Sequence, residues 1–299
     1  MNQEHAILGL DLGGTHVKGL VVDSTGRLLA EETHMTADDG AGAWQANVAA
    51  VAGTLRTRFP LIAKAGLCAP GLTAANERSI LTMPGRLRGL EGLDWSAALS
   101  LPTVVINDAQ AALLGEVWQG AARGMKNVLM LTLGTGVGGA AMVDGRVLRG
   151  HLGRAGHLGH ISLNPDGPRD IVGTPGSLED AIGDCTVGAR TGRRYSNTRA
   201  LVTAAAAGDA MARAVWTRAV RALGASLAGL INVLDPQMIV VGGGIAAAGN
   251  SLFGPLRAAL DEFEWRVGAE GVAVVPAQLG TLAGAYGAAR RAQLTFQHP

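Results

Sequence analysis

Apolar positions along the chain follow two rhythms. Short runs of Val, Ile, Leu and Ala closed by Gly, Pro, Asn or Asp predict strands, and longer runs repeating every three or four residues predict helices. AILGLDLGG at 6–14 is an apolar strand ending in Asp11 that turns through glycines into a second strand, VKGLVVD at 17–23. That order predicts a β-hairpin with a glycine-rich tip. DSTGR at 23–27 supplies the next turn, LLAEETH at 28–34 a third strand, and 43–59 a helix. Gly66 to Ala69 is a short strand stopped by Pro70-Gly71. Leu101 to Ile106 is a β-branched run of strand length, and the Ala/Leu-rich segment from Ala109 has strong helix propensity. The whole stretch from Leu201 to Leu234 predicts helix, with Trp216, Val220, Leu223, Leu227, Leu230 and Leu234 as one buried stripe, stopped by Asp235-Pro236. MIVVGGGI at 238–245 is a strand running into three glycines, a helix begins at about Leu252, and 282–293 predicts a last helix packing back on the first domain.

One pattern occurs twice. Residues 8–29, LGLDLGGTHVKGLVVDSTGRLL, lie over residues 129–148, LMLTLGTGVGGAAMVDGRVL, with a two-residue deletion in the second turn. Asp11 falls on Thr132, Gly13 on Gly134, Asp23 on Asp144 and Arg27 on Arg146. Two distant copies of one unit imply two similar domains facing each other across a cleft, rather than a solenoid. The boundary is expected near the helix after Asp108.

Composition narrows the ligand. With 299 residues, 48% hydrophobic and 16% charged, the chain has ample core for two domains. A net charge of +1 gives no electrostatic case for nucleic acid or a membrane surface. A small molecule fits better. Cys68 and Cys185 make no disulfide framework, no signal-peptide pattern opens the chain, and no run of 18 apolar residues occurs, so a soluble cytoplasmic protein is expected. The 44 glycines cluster at 13–14, 134–139 and 242–244, where backbone must approach a ligand or turn sharply.

The candidate chemistry centres on VVINDAQAALLGE at 104–116. Asp108 falls where strand becomes helix. One reading makes it a helix cap; the other makes it a carboxylate at the end of a strand, where α/β folds place their chemistry. Gly134 to Gly139 spells G-x-G-x-x-G, but AAMVDGRVL after it reads as strand, so a hairpin whose amides cradle phosphate is the better account than a dinucleotide fingerprint. The glycine triplet at 242–244 suits close approach of a nucleobase and its ribose.

Five segments together resemble the ROK family of sugar kinases and regulators, within the actin-like ATPase superfamily. DLGGT at Asp11 to Thr15 is similar to its first phosphate motif, APG at Ala69 to Gly71 to its sugar-side loop, and NDAQAALLGE to its catalytic segment. TLGTGVGG at Thr132 to Gly139 is similar to its second phosphate motif, and DPQMIVVGGGIAAAG to its adenosine motif. The resemblance implies an α/β, two-domain actin-like ATPase (ribonuclease H-like) fold with a cleft between duplicated domains. The small domain would span 1–108, joined by 286–299, and the large domain 109–285. It also implies transfer of phosphate from Mg²⁺-ATP to a hexose or N-acylhexosamine hydroxyl, commonly O6, often in a homodimer.

On that mapping Asp108 is the general base and Asn107 holds neighbouring sugar hydroxyls. Such a base needs geometry more than a raised pKa, and its helix N-terminus favours the carboxylate. Asp11 binds Mg²⁺, through water. ATP would contact Asp11, Gly13, Gly14, Thr15, Thr132, Gly134, Thr135, Gly136, Gly242, Gly243 and Gly244, and the sugar Gly71, Asn107, Asp108, His157, His160 and Glu179.

The resemblance fails in one window, HLGHISLNPDGPRDIVGTPGSLE at 157–179. His160 and Glu179 match family residues that touch sugar. His157 stands where a sugar-binding Glu is expected, and Asp170, Val172 and Ser177 stand where three zinc-binding cysteines are expected. A Cys₃His site cannot form, so zinc is not expected. The loop must be held by packing and turn chemistry, with His160 as a hydrogen-bond donor to sugar, and His157 shifts the sugar preference or weakens it. His16 replaces the family's usual Lys beside the first phosphate motif. The alternative function is a catalytically weak or inactive sugar-binding sensor. Family regulators carry a DNA-binding region before the kinase-like part, for which a first strand beginning near Ala6 leaves no room.

Overall fold

The computed structural model describes residues 6–40, 42–83 and 85–296. Its strands, in chain order, are β1 (Ile7–Leu12), β2 (His16–Val22), β3 (Leu28–Met35), β4 (Ala65–Ala69), β5 (Leu72–Thr73), β6 (Ile80–Thr82) and β7 (Thr103–Asn107). They continue with β8 (Val128–Leu133), β9 (Val137–Val143), β10 (Arg146–Val147), β11 (Met238–Gly242) and β12 (Ala273–Pro276). The helices are α1 (Ala43–Arg58), α2 (Trp95–Leu99), α3 (Asp108–Gln119), α4 (Leu178–Ile182), α5 (Val187–Arg190), α6 (Thr198–Ala206), α7 (Ala210–Leu234), α8 (Asn250–Phe263) and α9 (Ala283–Thr295). Among the described residues no helix is long and apolar enough to cross a membrane.

The chain divides into two compact units. The first holds Met1–Gly124, Arg149–Ala155 and Gln278–Pro299, and the second Met125–Leu148 and Gly156–Ala277. The first unit runs on past the expected boundary at 108/109 because α3 packs along α9. Residues 1–5 and 297–299 of the expected small domain lie outside the described residues.

Each unit builds the same sheet. In the first the strand order is β3-β2-β1-β4-β7, in the second β10-β9-β8-β11-β12. In both, an antiparallel hairpin is joined by two parallel strands: β1 pairs β2 antiparallel and β4 parallel, and β8 pairs β9 antiparallel and β11 parallel. The repeat in the sequence is therefore the hairpin of each sheet. The shortened second turn becomes the two-residue link Asp144-Gly145, with φ of 51° and 75°. Paired positive φ angles match the right-handed twist of the strands they join, which is why Asp-Gly is favoured there.

The first unit's core holds Leu8, Leu10, Leu67, Trp44 and Trp95 around its sheet. On its other face α9 comes so close that side chains are excluded. A Cβ on Gly9 or Gly66 would strike the carbonyl oxygens of Ala285 or Ala288, and one on Gly287 would strike Ala111 of α3. The buried Glu116 of α3 accepts from the backbone N–H groups of Gln278 and Leu279, at 3.0 and 2.8 Å from Oε1, and so fixes the approach to α9.

In the second unit the predicted stripe is buried at Trp216, Val220, Leu223, Leu227 and Leu230, beside Leu129, Leu131 and Val241, and half-buried at Leu234. The single helix expected from Leu201 to Leu234 is two. Gly208 takes φ of 98°, and Asp209 caps α7 by accepting from Ala212 N at 2.8 Å. A Gly stop and then an Asp cap break the backbone ladder although the apolar rhythm continues across them.

Candidate active site

In the first unit, the tip of the β1–β2 hairpin carries Gly13, Gly14 and Thr15. Gly13 N–H donates to the His16 carbonyl at 3.0 Å, and the buried Thr36 hydroxyl donates to the Gly13 carbonyl at 2.6 Å. Gly14 and Thr15 remain exposed. The Arg86 guanidinium lies over Gly14, where a Cβ would strike it, and is 3.9 Å from Asp38.

Asp11 is the penultimate residue of β1 and sits beside Cys68 of β4. Its Oδ1 accepts from the Cys68 thiol at 3.3 Å, and a Cβ on Gly284 of α9 would lie 2.7 Å from its Oδ2. Burial pushes the Asp11 carboxyl up to about 6, the Cys68 bond pulls it down, and the charge of Asp108 raises it again. Burial also pushes the Cys68 thiol well up, so it stays a donor.

At the end of β7 the two candidate residues divide the work. Asn107 is the cap: its Oδ1 accepts from Ala109 N at 3.0 Å and Gln110 N at 3.2 Å, and its Nδ2 donates to the Gly71 carbonyl at 3.0 Å. Asp108 is already the first residue of α3, so the reading of Asp108 as the cap moves back one residue. Its Oδ1 accepts from Ala109 N at 2.8 Å. The side chain is open to solvent yet crowded by protein, and that crowding pushes its pKa up despite the bonds from Ala109 and Asn107. Desolvation outweighs the helix N-terminus, the reverse of the expectation from sequence. Gly71, with φ of 100°, is pressed against β6, where a Cβ would lie 2.5 Å from the Thr82 carbonyl.

In the second unit, Thr132 lies in β8 opposite Gly242 of β11, and the tip of the β8–β9 hairpin carries Gly134, Thr135 and Gly136. Asp184 N–H donates to the Gly134 carbonyl and Cys185 N–H to the Thr135 carbonyl, each at 2.9 Å. The chain leaves this tip as strand β9, as the phosphate-hairpin reading requires. The three glycines from the last residue of β11 onward are not equivalent. Gly243 takes φ of 87° and packs on the backbone of Leu133, where a Cβ would strike the carbonyl oxygen, so it serves the fold. Gly244 lines a cleft of about 540 Å³ together with Gly134 and Thr135.

That cleft also draws on Asp184, Asn197, Thr198 and Arg199, which sequence reasoning missed. Thr198 Oγ1 is buried without a hydrogen-bond partner. The legible signal was Asn197, whose Oδ1 caps α6 by accepting from Ala200 N at 2.9 Å.

His157, His160 and Glu179 also belong to the second unit. His157 is half-buried, and burial with the neighbouring His160 pulls its pKa below the usual imidazole value. Glu179 Oε2 accepts from Val137 N at 2.9 Å, immediately after the glycine tip. His160 Nδ1 lies 2.7 Å from Asp170 Oδ2. Of the three residues that stand where cysteines are expected, Asp170 and Ser177 bring their side chains together, while the 60% exposed Val172 contributes only its backbone. Among the described residues no three His, Cys, Asp or Glu side chains group as a metal site.

The duplicated sheet with a glycine-tipped hairpin in each copy defines the actin-like ATPase fold class. Within it the chain belongs to the ROK family, whose model matches residues 7–294. It is 30% identical to a glucokinase of Halalkalibacterium halodurans, over 94% of this chain and 92% of that one. It is 32% identical to an N-acetylmannosamine kinase of Yersinia pseudotuberculosis, over 81% and 83% of the two chains. Among solved structures, a ROK family glucokinase from Streptomyces griseus in complex with glucose and AMPPNP superposes with a TM-score of 0.80, at 27% identity, over 97% of this chain and 99% of that one.

Proposed function

We propose that this ATP-dependent sugar kinase transfers the terminal phosphoryl group of ATP to a hexose or N-acylhexosamine hydroxyl, O6 by its family resemblance, with Asp108 as general base. The observation that carries the reading is the division of labour at the start of α3. Asn107 satisfies the helix amides, so Asp108 is held in place yet open to solvent, with a raised proton affinity. A carboxylate of that kind accepts the hydroxyl proton more readily as the oxygen attacks. The relatives named glucokinase and N-acetylmannosamine kinase support the substrate class.

The residues fit Mg²⁺-ATP. Asp11 and Asp108 are two carboxylates whose proton affinity burial raises, and the charge of Asp108 raises that of Asp11 further, an arrangement a cation relieves. The cleft at Gly134, Thr135 and Gly244 is of nucleoside size and contains an orphaned hydroxyl. ATP supplies the phosphoryl group, and Mg²⁺ neutralises charge on its oxygens. Asp11 is the residue to hold the metal through water. At the two tips, where the Gly13 and Gly134 N–H groups are taken by hairpin bonds to the His16 and Gly136 carbonyls, Gly14, Thr15, Thr135 and Gly136 offer backbone N–H groups to the phosphates, near Thr132, and Gly244 with Thr198 borders the nucleoside, beside Gly242 and Gly243. Gly71, Asn107, His157, His160 and Glu179 orient the sugar, Asn107 being fixed by its bond to Gly71. The family's homodimer is part of the reading, and sedimentation tests it.

The deciding experiment is coupled ADP release over a panel of hexoses and N-acylhexosamines. At least one sugar is expected to turn over, and Asp108→Asn to lower kcat by about a thousandfold with an unchanged melting curve. Sugar binding without turnover would establish the sensor alternative instead, and an undiminished Asp108→Asn enzyme would remove Asp108 from its role.

A further inference from the structure

Backbone hydrogen bonds close the loop at 161–179. Leu163 N–H donates to the Gly176 carbonyl at 2.8 Å, Gly176 N–H to the Pro168 carbonyl at 2.7 Å and Leu178 N–H to the Ile161 carbonyl at 2.9 Å. At its centre lies the Asp170 carboxylate, whose side chain has no exposure to solvent. Its Oδ1 accepts from Val172 N at 3.0 Å and from Thr174 N at 2.9 Å. Its Oδ2 faces His160 Nδ1 at 2.7 Å, and the Ser177 side chain lies beside it. Three donors meet a group that has about four acceptor sites. Although burial alone would raise its pKa, the bonds from His160, Thr174 and Val172, with the Ser177 side chain beside them, hold the Asp170 carboxyl below its usual value. It is therefore a carboxylate, which accepts and cannot donate.

Opposite an acceptor-only group, His160 Nδ1 must carry the proton, and in a neutral imidazole the other nitrogen, Nε2, is then unprotonated. We propose that Asp170 is a positioning residue that takes over the metal's work in this loop and fixes His160 as its Nδ1–H tautomer, presenting Nε2 to the sugar as a hydrogen-bond acceptor. The polarity is opposite to the donor role expected from the sequence. A sugar hydroxyl facing His160 must then donate, so this site selects for a hydroxyl and against its ether or fluoro replacement. Two of the positions where the family pattern calls for cysteine supply side chains to this cluster, Asp170 as acceptor and Ser177 as partner, and position 172 supplies a backbone N–H. The sugar contact rests on the proposed kinase function; the tautomer does not.

The test is long-range proton–nitrogen NMR correlation on protein labelled with ¹⁵N-histidine, at about pH 8 where an ordinary imidazole is neutral. His160 is assigned from the spectrum of His160→Gln. The proton is expected on Nδ1 in the sugar-free wild type, and Asp170→Asn is expected to shift it towards Nε2. The same variant is expected to raise the KM of whichever sugar turns over best by about tenfold, the worth of one charge-assisted hydrogen bond, with kcat little changed. A wild-type His160 protonated on Nε2 overturns the proposal, whether or not the variant folds. So does an Asp170→Asn protein that melts lower while its tautomer and KM stay put, since that is a structural role alone. The tautomer is read without substrate, so its failure is separable from failure of the kinase reading.

Discussion

Asp11 and Asp108 are held where neither ionises freely, and the sign of that strain is measurable. A carboxyl raised from 3.8 to about 6 keeps its proton in the folded protein over a range where the unfolded chain has released it. The metal-free protein should therefore lose stability as pH rises from about 4 to about 6, by on the order of 1–2 kcal/mol after discounting for water that reaches the group. Urea melts in chelator across that range should show the fall, and Asp11→Asn should flatten it; a rise carried by Asp11 would refute the assignment. Both acids were legible in the sequence. The division of labour between Asn107 and Asp108 was not, because a shift of one residue decides which side chain caps a helix. Asn107 takes extended angles, φ −63° and ψ 146°, and so becomes the cap. His157 and Asp170 were legible only as departures from a pattern, since a hydrogen-bonded cluster depends on backbone amides that leave no mark in composition.

The elements divide by what their glycines do. Gly66 of β4 faces the Ala288 backbone, and a methyl group there has no room. Gly66→Ala should cost about 2–3 kcal/mol or more by overpacking, measured by chemical denaturation. Gly53 in α1 is the control, with open space around its Cβ position and an exposed site. Gly53→Ala should stabilise by about 0.5–1 kcal/mol through helix propensity and a less free unfolded chain. Equal effects at the two sites would mean that α9 yields to fit the methyl. Period and turn residues revealed most strands and the long helices. They missed β12, a run of only four residues, and merged α6 with α7, because rhythm records which face is buried and not where the ladder of hydrogen bonds is interrupted.

At the scale of the molecule, two units repeat one sheet topology, and the first is assembled from three pieces of chain. The hairpin repeat foretold the duplication. It did not foretell that the stretch Arg149–Ala155 returns to the first unit, where Arg149 Nη1 pairs with Glu77 Oε1 at 2.7 Å beside Arg291. A chain ending at Ala277 should therefore keep the second unit's sheet and lose the first unit's cooperative unfolding. Hydrogen exchange resolved by peptide distinguishes this from an intact first unit, which would show that α9 is dispensable.

Gly284 lies directly behind Asp11 and Cys68. On the ribosome β1 emerges early and this helix late, so the wall that dries Asp11 is the last part of its surroundings to be made. Until then the carboxylate stays hydrated with an ordinary proton affinity, and the nascent chain has a glycine hairpin and an aspartate but no tuned acid. The shifted proton affinity of Asp11 thus arrives only when α9 docks behind it.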